Sequence, residues 1–132
     1  MIFIDASFFL AYENVADVHH KKAAVLWNEI ISGKFENYVT SDYILNEVVG
    51  VTFRKFGKER AVKFGEHILK TIFMINIDDH LLKESWKIFS KTELKLNLVD
   101  CTNLIAAKMA DAEFIATFDN EFNKIDNIKV IG

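Results

Sequence analysis

The chain opens with Met1-Ile2-Phe3-Ile4-Asp5-Ala6-Ser7, in which an acidic residue directly follows a short run of apolar strand formers. The run is too short for a helix, whereas the apolar positions of about Ser7 to Glu13 recur at helical spacing. In open α/β sheets, ligands bind beyond the carboxyl ends of the strands. The segment therefore favours an α/β fold and makes Asp5 a candidate site residue.

The alternation of short apolar runs with helical periodicity continues to the end of the chain. Further strands are predicted at 38–40, 72–77, 114–118 and 128–131, and helices at 17–32, 41–55 and 58–70, with two more capped by Asp78 and Asp100. Short, fully apolar strands separated by helices indicate a three-layer α/β/α fold, in which helices cover both faces of a short parallel sheet. Because no repeat or linker interrupts the pattern, we predict one domain spanning residues 1–132.

Composition narrows the possible classes of protein. With 51% hydrophobic and 27% charged residues, the sequence is that of an ordered globular domain. The single cysteine, Cys101, excludes an internal disulfide and a Cys-pair zinc site. No apolar stretch approaches the ~20 residues of a membrane span, so we expect a cytoplasmic protein. At a net charge of −3, binding to a nucleic acid would require locally concentrated cations or metal ions.

Four acidic residues are candidates: Asp5 and Asp119 directly follow predicted strands, Asp100 lies at a helix start, and Glu47 lies on the helix after the second strand, at the margin of its apolar face. Asp5 and Asp119 each end an apolar run, and burying a carboxylate is costly unless it is paired or bound to a metal. Taken singly, Asp100 is also explained as a helix N-cap and Glu47 as a solvated helix residue. As a group, the carboxylates would repel one another, and a hard divalent cation would relieve that repulsion. Such a site can activate water for phosphodiester cleavage.

The motifs around these acids resemble those of the PIN-domain ribonucleases, and among them the VapC-like toxins of toxin–antitoxin pairs. They are Ile4-Asp5-Ala6-Ser7-Phe8-Phe9, Thr40-Ser41-Asp42-Tyr43-Ile44-Leu45-Asn46-Glu47-Val48, Val99-Asp100-Cys101 and Ala116-Thr117-Phe118-Asp119-Asn120-Glu121-Phe122. The resemblance spans essentially the whole chain. It implies metal-dependent cleavage of single-stranded or structured RNA by metal-activated water. The chain departs from the family at Asn97 and Leu98, where members often carry Ser or Thr.

The resemblance also implies roles for individual residues. Asp5, Glu47, Asp100 and Asp119 would be the catalytic residues and the ligands of Mg²⁺ or Mn²⁺, Asp5 and Asp100 binding the ion directly and Glu47 and Asp119 completing its shell directly or through water. Ser7 would orient Asp5 or contact the substrate, although its hydroxyl could equally serve as a helix N-cap. The expected partners are the RNA substrate, a cognate antitoxin protein and a second copy of the chain in a homodimer.

Two further features of the sequence have both a functional and an ordinary interpretation. Five cations occur between residues 54 and 63, and Arg54, Lys55 and Lys58 among them could contact the RNA backbone or simply form a solvated face. His19 and His20 are adjacent. Because adjacent residues do not face one another on a helix, exposed or capping histidines are expected here rather than a metal pair.

The sequence also allows comparison with two functions other than a nuclease. An inactive or regulatory PIN-fold domain could bind RNA or protein, but the presence of all four acids argues against it. A receiver-like phospho-acceptor domain would need an acid pair after its first strand and a lysine after its last strand. The chain offers only Asp5 at the first position and no matching lysine.

Overall fold

The computed structural model describes residues 1–132, in which five short strands form one fully parallel sheet. The strands are β1 (Ile2–Ile4), β2 (Tyr38–Ser41), β3 (Phe73–Ile75), β4 (Phe114–Ala116) and β5 (Lys129–Ile131). Their order across the sheet is β3-β2-β1-β4-β5. The central strand β1 pairs Ile2 with Tyr38 on one side and with Phe114 on the other.

Six α-helices connect these strands. They are α1 (Ala6–Glu13), α2 (His20–Ile31), α3 (Asp42–Phe56), α4 (Lys58–Thr71), α5 (Asp79–Lys91) and α6 (Leu98–Met109). Helix α1 packs against α2 and α3, and α3 packs against α4, whereas α5 packs against α6, which contacts β1 and β2. The predicted three-layer α/β/α architecture is confirmed. No helix is both long enough and apolar enough to cross a membrane.

The strand order creates a crevice beside β1. Strands β2 and β3 follow β1 toward one edge of the sheet, whereas β4 returns to the opposite side of β1. The carboxyl ends of β1 and β4 therefore lie side by side at the point where the direction of winding reverses, which is where ligands bind in open α/β sheets. Asp5 follows β1 directly, and its backbone N–H donates to the Ala116 carbonyl of β4 at 3.0 Å.

Buried aromatic side chains fix the segments that leave these two strands. Phe8, in α1, and Phe122, in the short 3₁₀ helix Asn120–Lys124, are both 0% exposed. Burial of a phenylalanine side chain contributes about 1.5–3 kcal/mol. Because Phe8 lies three residues after Asp5 and Phe122 three residues after Asp119, both acid-bearing turns are anchored to the core.

The start of α6 differs from the prediction. Asp100 is not the N-cap; Asn97 is, and the helix begins at Leu98. The Asn97 side chain accepts from the Asp100 N–H at 2.8 Å, and Asp100 Oδ2 accepts from the Asn97 N–H at 2.8 Å. This reciprocal capping box satisfies two backbone donors at once, which explains why the cap lies three residues earlier.

Helix α2 begins at His20, later than the predicted residue 17. The Asp17 carboxylate accepts from the His19 N–H at 2.8 Å and so forms a turn before the helix. Helix α3, predicted to run to about residue 55, extends to Phe56 and ends at Gly57. Gly57 has φ +91°, a left-handed conformation in which a residue with a side chain would be strained.

Strands β3 and β4 are shorter than predicted. Ile72 belongs to the end of α4, since its N–H donates to the Ile68 carbonyl, and the Ile77 N–H donates to the Asp42 carboxylate instead of a neighbouring strand. After β4, the Phe118 N–H donates to the Ser7 hydroxyl. The Thr117 N–H still donates to the Ile131 carbonyl, so side-chain acceptors replace strand pairing only from Phe118 onward and at Ile77. The 3₁₀ helix was not predicted.

Candidate active site

Asp5 is a buried carboxylate held by several hydrogen bonds. Its side chain is 6% exposed and caps α1. Oδ2 accepts from the Ser7 hydroxyl at 2.7 Å and from the Thr117 hydroxyl at 2.8 Å, and Oδ1 accepts from the Asn103 amide at 3.0 Å. These bonds offset the cost of removing the carboxylate from water.

The two hydroxyls that contact Asp5 are themselves oriented by the backbone. The Ser7 hydroxyl accepts from the Phe118 N–H at 3.0 Å, and the Thr117 hydroxyl accepts from the Asp119 N–H at 3.1 Å. Each hydroxyl has one proton, which it donates to Asp5 Oδ2. Oδ2 is thus satisfied by protein donors, whereas Oδ1 has a single side-chain donor and further accepting capacity. Ser7 therefore orients Asp5, and Asp5 rather than Ser7 caps the helix.

Asp100 lies in the first turn of α6 and is partly buried. Burial, opposed by the hydrogen bond from the Asn97 N–H and assisted by the negative charges of Asp5 and Asp119, raises the pKa of its carboxyl to about 6. Asp100 is therefore a carboxylate whose ionisation is opposed by its neighbours in the site.

Glu47 and Asp119 complete the set of acids. Glu47 extends from α3, and desolvation raises its pKa, as do the charges of Asp5 and Asp100. Asp119 caps the 3₁₀ helix by accepting from the Glu121 N–H at 2.9 Å. The four acids thus lie close enough to influence one another. However, no three His, Cys, Asp or Glu side chains converge in a geometry that would already hold a metal ion.

One of these acids, Glu47, opens into a groove of about 510 Å³, which is lined by Tyr43, Asn46, Glu47, Gly50, Arg54 and Val99. Arg54 follows Glu47 by two helical turns on α3. A Cβ on Gly50 would lie 3.4 Å from Arg54 Nη1, so the guanidinium extends back along the helix over the glycine. Arg54 therefore places a positive charge in the groove that also contains Glu47.

The other two cations predicted to contact RNA lie elsewhere. Lys55 lines a small separate pocket together with Glu13 and Asp17. The Lys58 ammonium lies over the ring of Phe53, 5.6 Å from its centre. Of the three, only Arg54 shares a groove with one of the four acids, Glu47.

Two polar residues of the site, Asn103 and Thr117, were not assigned roles from the sequence. Asn103 is 0% and Thr117 is 1% exposed, and both donate to Asp5. Asn103 lies three residues after Asp100 on α6, a spacing that places both on one helix face. Its amide Oδ1 is buried without a hydrogen-bond partner, which is unusual for a native protein. The signal available in the sequence was this three-residue spacing, which puts an amide on the helix face that carries a candidate acid.

The residues fit a hard divalent cation. All four charged groups are carboxylates. Hard cations such as Mg²⁺ and Mn²⁺ favour oxygen ligands of this kind, whereas softer metals favour nitrogen and sulfur ligands. Burial and, after it, the repulsion of neighbouring acids raise the pKa values of Glu47 and Asp100, and a bound cation would relieve that repulsion. Asp5 Oδ1 retains accepting capacity, and Glu47, as an exposed side chain, has rotamer freedom to approach an ion.

Comparison with known proteins gives the family. Residues 2–128 match the PIN domain family, and the chain belongs to it. This match confirms the family predicted from the four motifs and excludes the receiver-like alternative. A curated relative, the 23S rRNA-specific endonuclease VapC20 of Mycobacterium tuberculosis, is 26% identical over 132 residues, which cover 98% of each chain.

Solved structures agree in fold. The crystal structure of Mycobacterium tuberculosis VapC20, described as a sarcin-ricin loop cleaving toxin, superimposes with a TM-score of 0.87 at 23% identity and covers 100% of both chains. VapBC2 from Rickettsia felis, bound to a DNA fragment from its promoter, gives a TM-score of 0.76 at 15% identity, over 99% of this chain and 98% of that one. These likenesses establish the fold over the whole length of the chain.

Proposed function

We propose that this chain is a Mg²⁺- or Mn²⁺-dependent endoribonuclease and the toxin of a toxin–antitoxin pair. The observation that carries the proposal is the group of four mutually repelling acids, Asp5, Glu47, Asp100 and Asp119, at the carboxyl edge of the sheet in a PIN-family chain. The relationship to VapC20, an endonuclease by name, supports the same class of reaction.

The substrate that this site favours is unpaired RNA. RNA is a polyanion, so the carboxylates repel its phosphates unless metal ions and protein cations neutralise their charge. Arg54 supplies one such cation beside Glu47. Single-stranded and looped regions present accessible backbone and unstacked bases. Since VapC20 is described as specific for 23S rRNA, bacterial 23S rRNA is the first natural substrate to test.

Each acid has a defined part in the proposed mechanism. Asp5 and Asp100 would bind the metal ion directly, and Glu47 and Asp119 would complete its surroundings directly or through water. A bound divalent cation supplies activation of water and stabilisation of the negative charge that develops on the phosphate. Ser7, Thr117 and Asn103 hold Asp5 in a single orientation, so that its Oδ1 stays available in the crevice.

Water is the proposed nucleophile. Cys101, beside Asp100, is buried, and burial together with the Asp100 charge raises the pKa of its thiol. A thiol that resists ionisation is a poor nucleophile. The proposal therefore includes no covalent intermediate between the enzyme and RNA.

A cognate antitoxin is the proposed protein partner. Phe53, Phe56 and Val62 are respectively 52%, 40% and 45% exposed along α3 and α4, close in sequence to Arg54. An amphipathic antitoxin helix lying on such apolar side chains is a common mode of peptide recognition. A homodimer and a cytoplasmic location are part of the same proposal.

Induced expression in a bacterial host tests the proposed activity. Wild-type protein should arrest growth and produce discrete cleavage fragments in total RNA, whereas Asp5→Asn should do neither. Asp79→Asn is the matched control, because Asp79 is an exposed acid of α5 that pairs only with Lys83. Equal effects of the wild type and Asp5→Asn, or no RNA cleavage by soluble wild-type protein, would reject the proposal.

A further inference from the structure

An exposed imidazole lies flat against an aromatic ring next to the group of acids. The His19 and Phe118 rings are 4.4 Å apart between centres and 3° from parallel. His19 precedes α2 as its N-cap, makes no capping hydrogen bond with its side chain, and is exposed to solvent. One face of the imidazole is therefore covered by Phe118, and the residue presents the rest of its surface to solvent.

The stack rests on a rigid base. The Phe118 ring lies 10° from parallel to that of Phe8, with the ring centres 6.2 Å apart, and Phe8 is 0% exposed. Phe8 in turn contacts the ring of Trp27. The Phe118 backbone N–H is fixed by the Ser7 hydroxyl that also donates to Asp5. The same hydrogen bonds thus hold the stack and the first acid.

The stack is close to the proposed reaction centre along the chain. Asp119 follows Phe118 directly, and consecutive Cα atoms are about 3.8 Å apart. Asp119 also contributes to the raised pKa of Asp100. The Ser7 hydroxyl, which bonds both the Phe118 N–H and Asp5, ties the ring on which His19 stacks to the first acid of the proposed reaction centre.

We propose that the outer face of His19 is a stacking subsite for an unpaired nucleobase adjacent to the phosphodiester that is cleaved. This inference rests on the proposed ribonuclease function and adds to it a position that selects single-stranded RNA. Every base has a π-face, so stacking binds unpaired bases with little preference among them. A base held in a duplex has both faces occupied by its neighbours and cannot use the subsite.

Binding measurements with the full-length chain test this subsite without cleavage. The probe is a fluorescein-labelled single-stranded RNA dodecamer of mixed sequence, titrated with Ca²⁺ in place of Mg²⁺ so that the acids are neutralised, checked on a gel for intactness, and followed by fluorescence anisotropy. His19→Ala removes the ring, whereas His19→Phe keeps a stacking surface. His80→Ala is the matched control, since His80 is an exposed histidine in the first turn of α5. Because His19 makes no side-chain capping bond, all three variants are expected to melt near wild type.

The expected result is that His19→Ala binds the RNA about tenfold more weakly than wild type. His19→Phe and His80→Ala should bind about as tightly as wild type. A series of dodecamers, each with one abasic nucleotide, should contain one position that weakens wild-type binding by a similar factor and leaves His19→Ala unaffected. Such non-additivity identifies a stacked base rather than a general loss of positive charge.

Two results would overturn the subsite. One is equal binding by His19→Ala and His80→Ala. The other is a loss for His19→Ala that is the same with every abasic RNA. Cleavage of unlabelled RNA by wild type with Mg²⁺, measured in parallel, separates the two hypotheses. Cleavage with unchanged His19→Ala binding rejects the subsite alone, whereas the absence of both cleavage and binding by wild type rejects the ribonuclease function as well.

Discussion

Replacing Asp100 with asparagine is expected to stabilise the metal-free protein while abolishing RNA cleavage. The wild-type carboxylate is partly buried beside Asp5 and Asp119, which raises its pKa from 3.8 to about 6. Asparagine has nearly the same shape and carries no charge. Its Oδ1 can also accept from the Asn97 N–H, so most of the capping box should survive.

The size of the effect follows from the raised pKa. Each pH unit between the folded and unfolded pKa values corresponds to about 1.4 kcal/mol, so ionising Asp100 costs the folded state about 3 kcal/mol at most. Because Asp100 is partly exposed and screened, about half of that is expected. The weaker capping bond of a neutral acceptor removes a further ~0.5 kcal/mol. A net gain of about 1 kcal/mol should raise the melting temperature by about 3–5 °C.

The gain should depend on pH with a definite sign. Since the folded protein binds the Asp100 proton more tightly than the unfolded chain does, the free energy of unfolding falls as pH rises from about 4 to about 6. Asp100→Asn lacks this loss. Thermal unfolding in EDTA, followed by circular dichroism, should therefore show the variant above wild type at pH 7.5 and the difference vanishing near pH 4.

Added metal should stabilise the wild-type protein more than the Asp100→Asn variant. At ten times its dissociation constant, Mg²⁺ or Mn²⁺ should stabilise wild type by about 1.4 kcal/mol and the variant much less. Asp78→Asn is the control, because Asp78 caps α5 outside the group of acids. An Asp100→Asn protein that melts below wild type at pH 7.5 in EDTA, or that gains as much from metal, would show that Asp100 acts only in the capping box.

Three other outcomes are expected. RNA cleavage should stop in excess EDTA and return with Mn²⁺ or Mg²⁺; activity that persists after exhaustive chelation would refute metal dependence. Thr117→Val should lower kcat about tenfold with little change in KM, because it removes one of the donors that fix Asp5; steady-state kinetics decide this, and an unchanged kcat would count against it. Arg54→Ala should weaken RNA binding and reduce its salt dependence, whereas Lys58→Ala should change both less, as anisotropy titrations at several salt concentrations would show.

Local signals in the sequence sufficed to predict the architecture. The apolar runs before Asp5 and Asp119 are buried strands, and their acidic ends mark the carboxyl edge of the sheet. The cap of α6 was predicted at the wrong residue because Asn97 and Asp100 are both good N-cap residues. Only their mutual hydrogen bonds, which depend on the chain conformation, distinguish the N-cap from the third residue of the helix.

The site was predictable as a set of charges but not as a hydrogen-bonded arrangement. Asp5 contacts Asn103 and Thr117, which lie 98 and 112 residues away in the sequence, and the sequence around either polar residue does not specify Asp5 as its partner.

The cluster of cations that begins at Arg54 shows the same limit of sequence-based prediction. Neighbours in sequence diverge on a helix, so Lys55 faces a different pocket from the one that Arg54 borders.

The most direct test of the central claim is the rate of RNA cleavage by purified protein with Mn²⁺ or Mg²⁺. Wild type and Asp79→Asn should cleave a bacterial rRNA substrate at the same rate and at the same positions. The Asp5→Asn side chain can keep the Ser7 and Thr117 contacts through its amide oxygen, so this variant should fold with a melting temperature similar to that of wild type. It should cleave at least about a hundredfold more slowly, which is what the loss of a major transition-state stabilising group costs. Cleavage by a folded Asp5→Asn protein at the wild-type rate would contradict the assignment of these acids as the reaction centre.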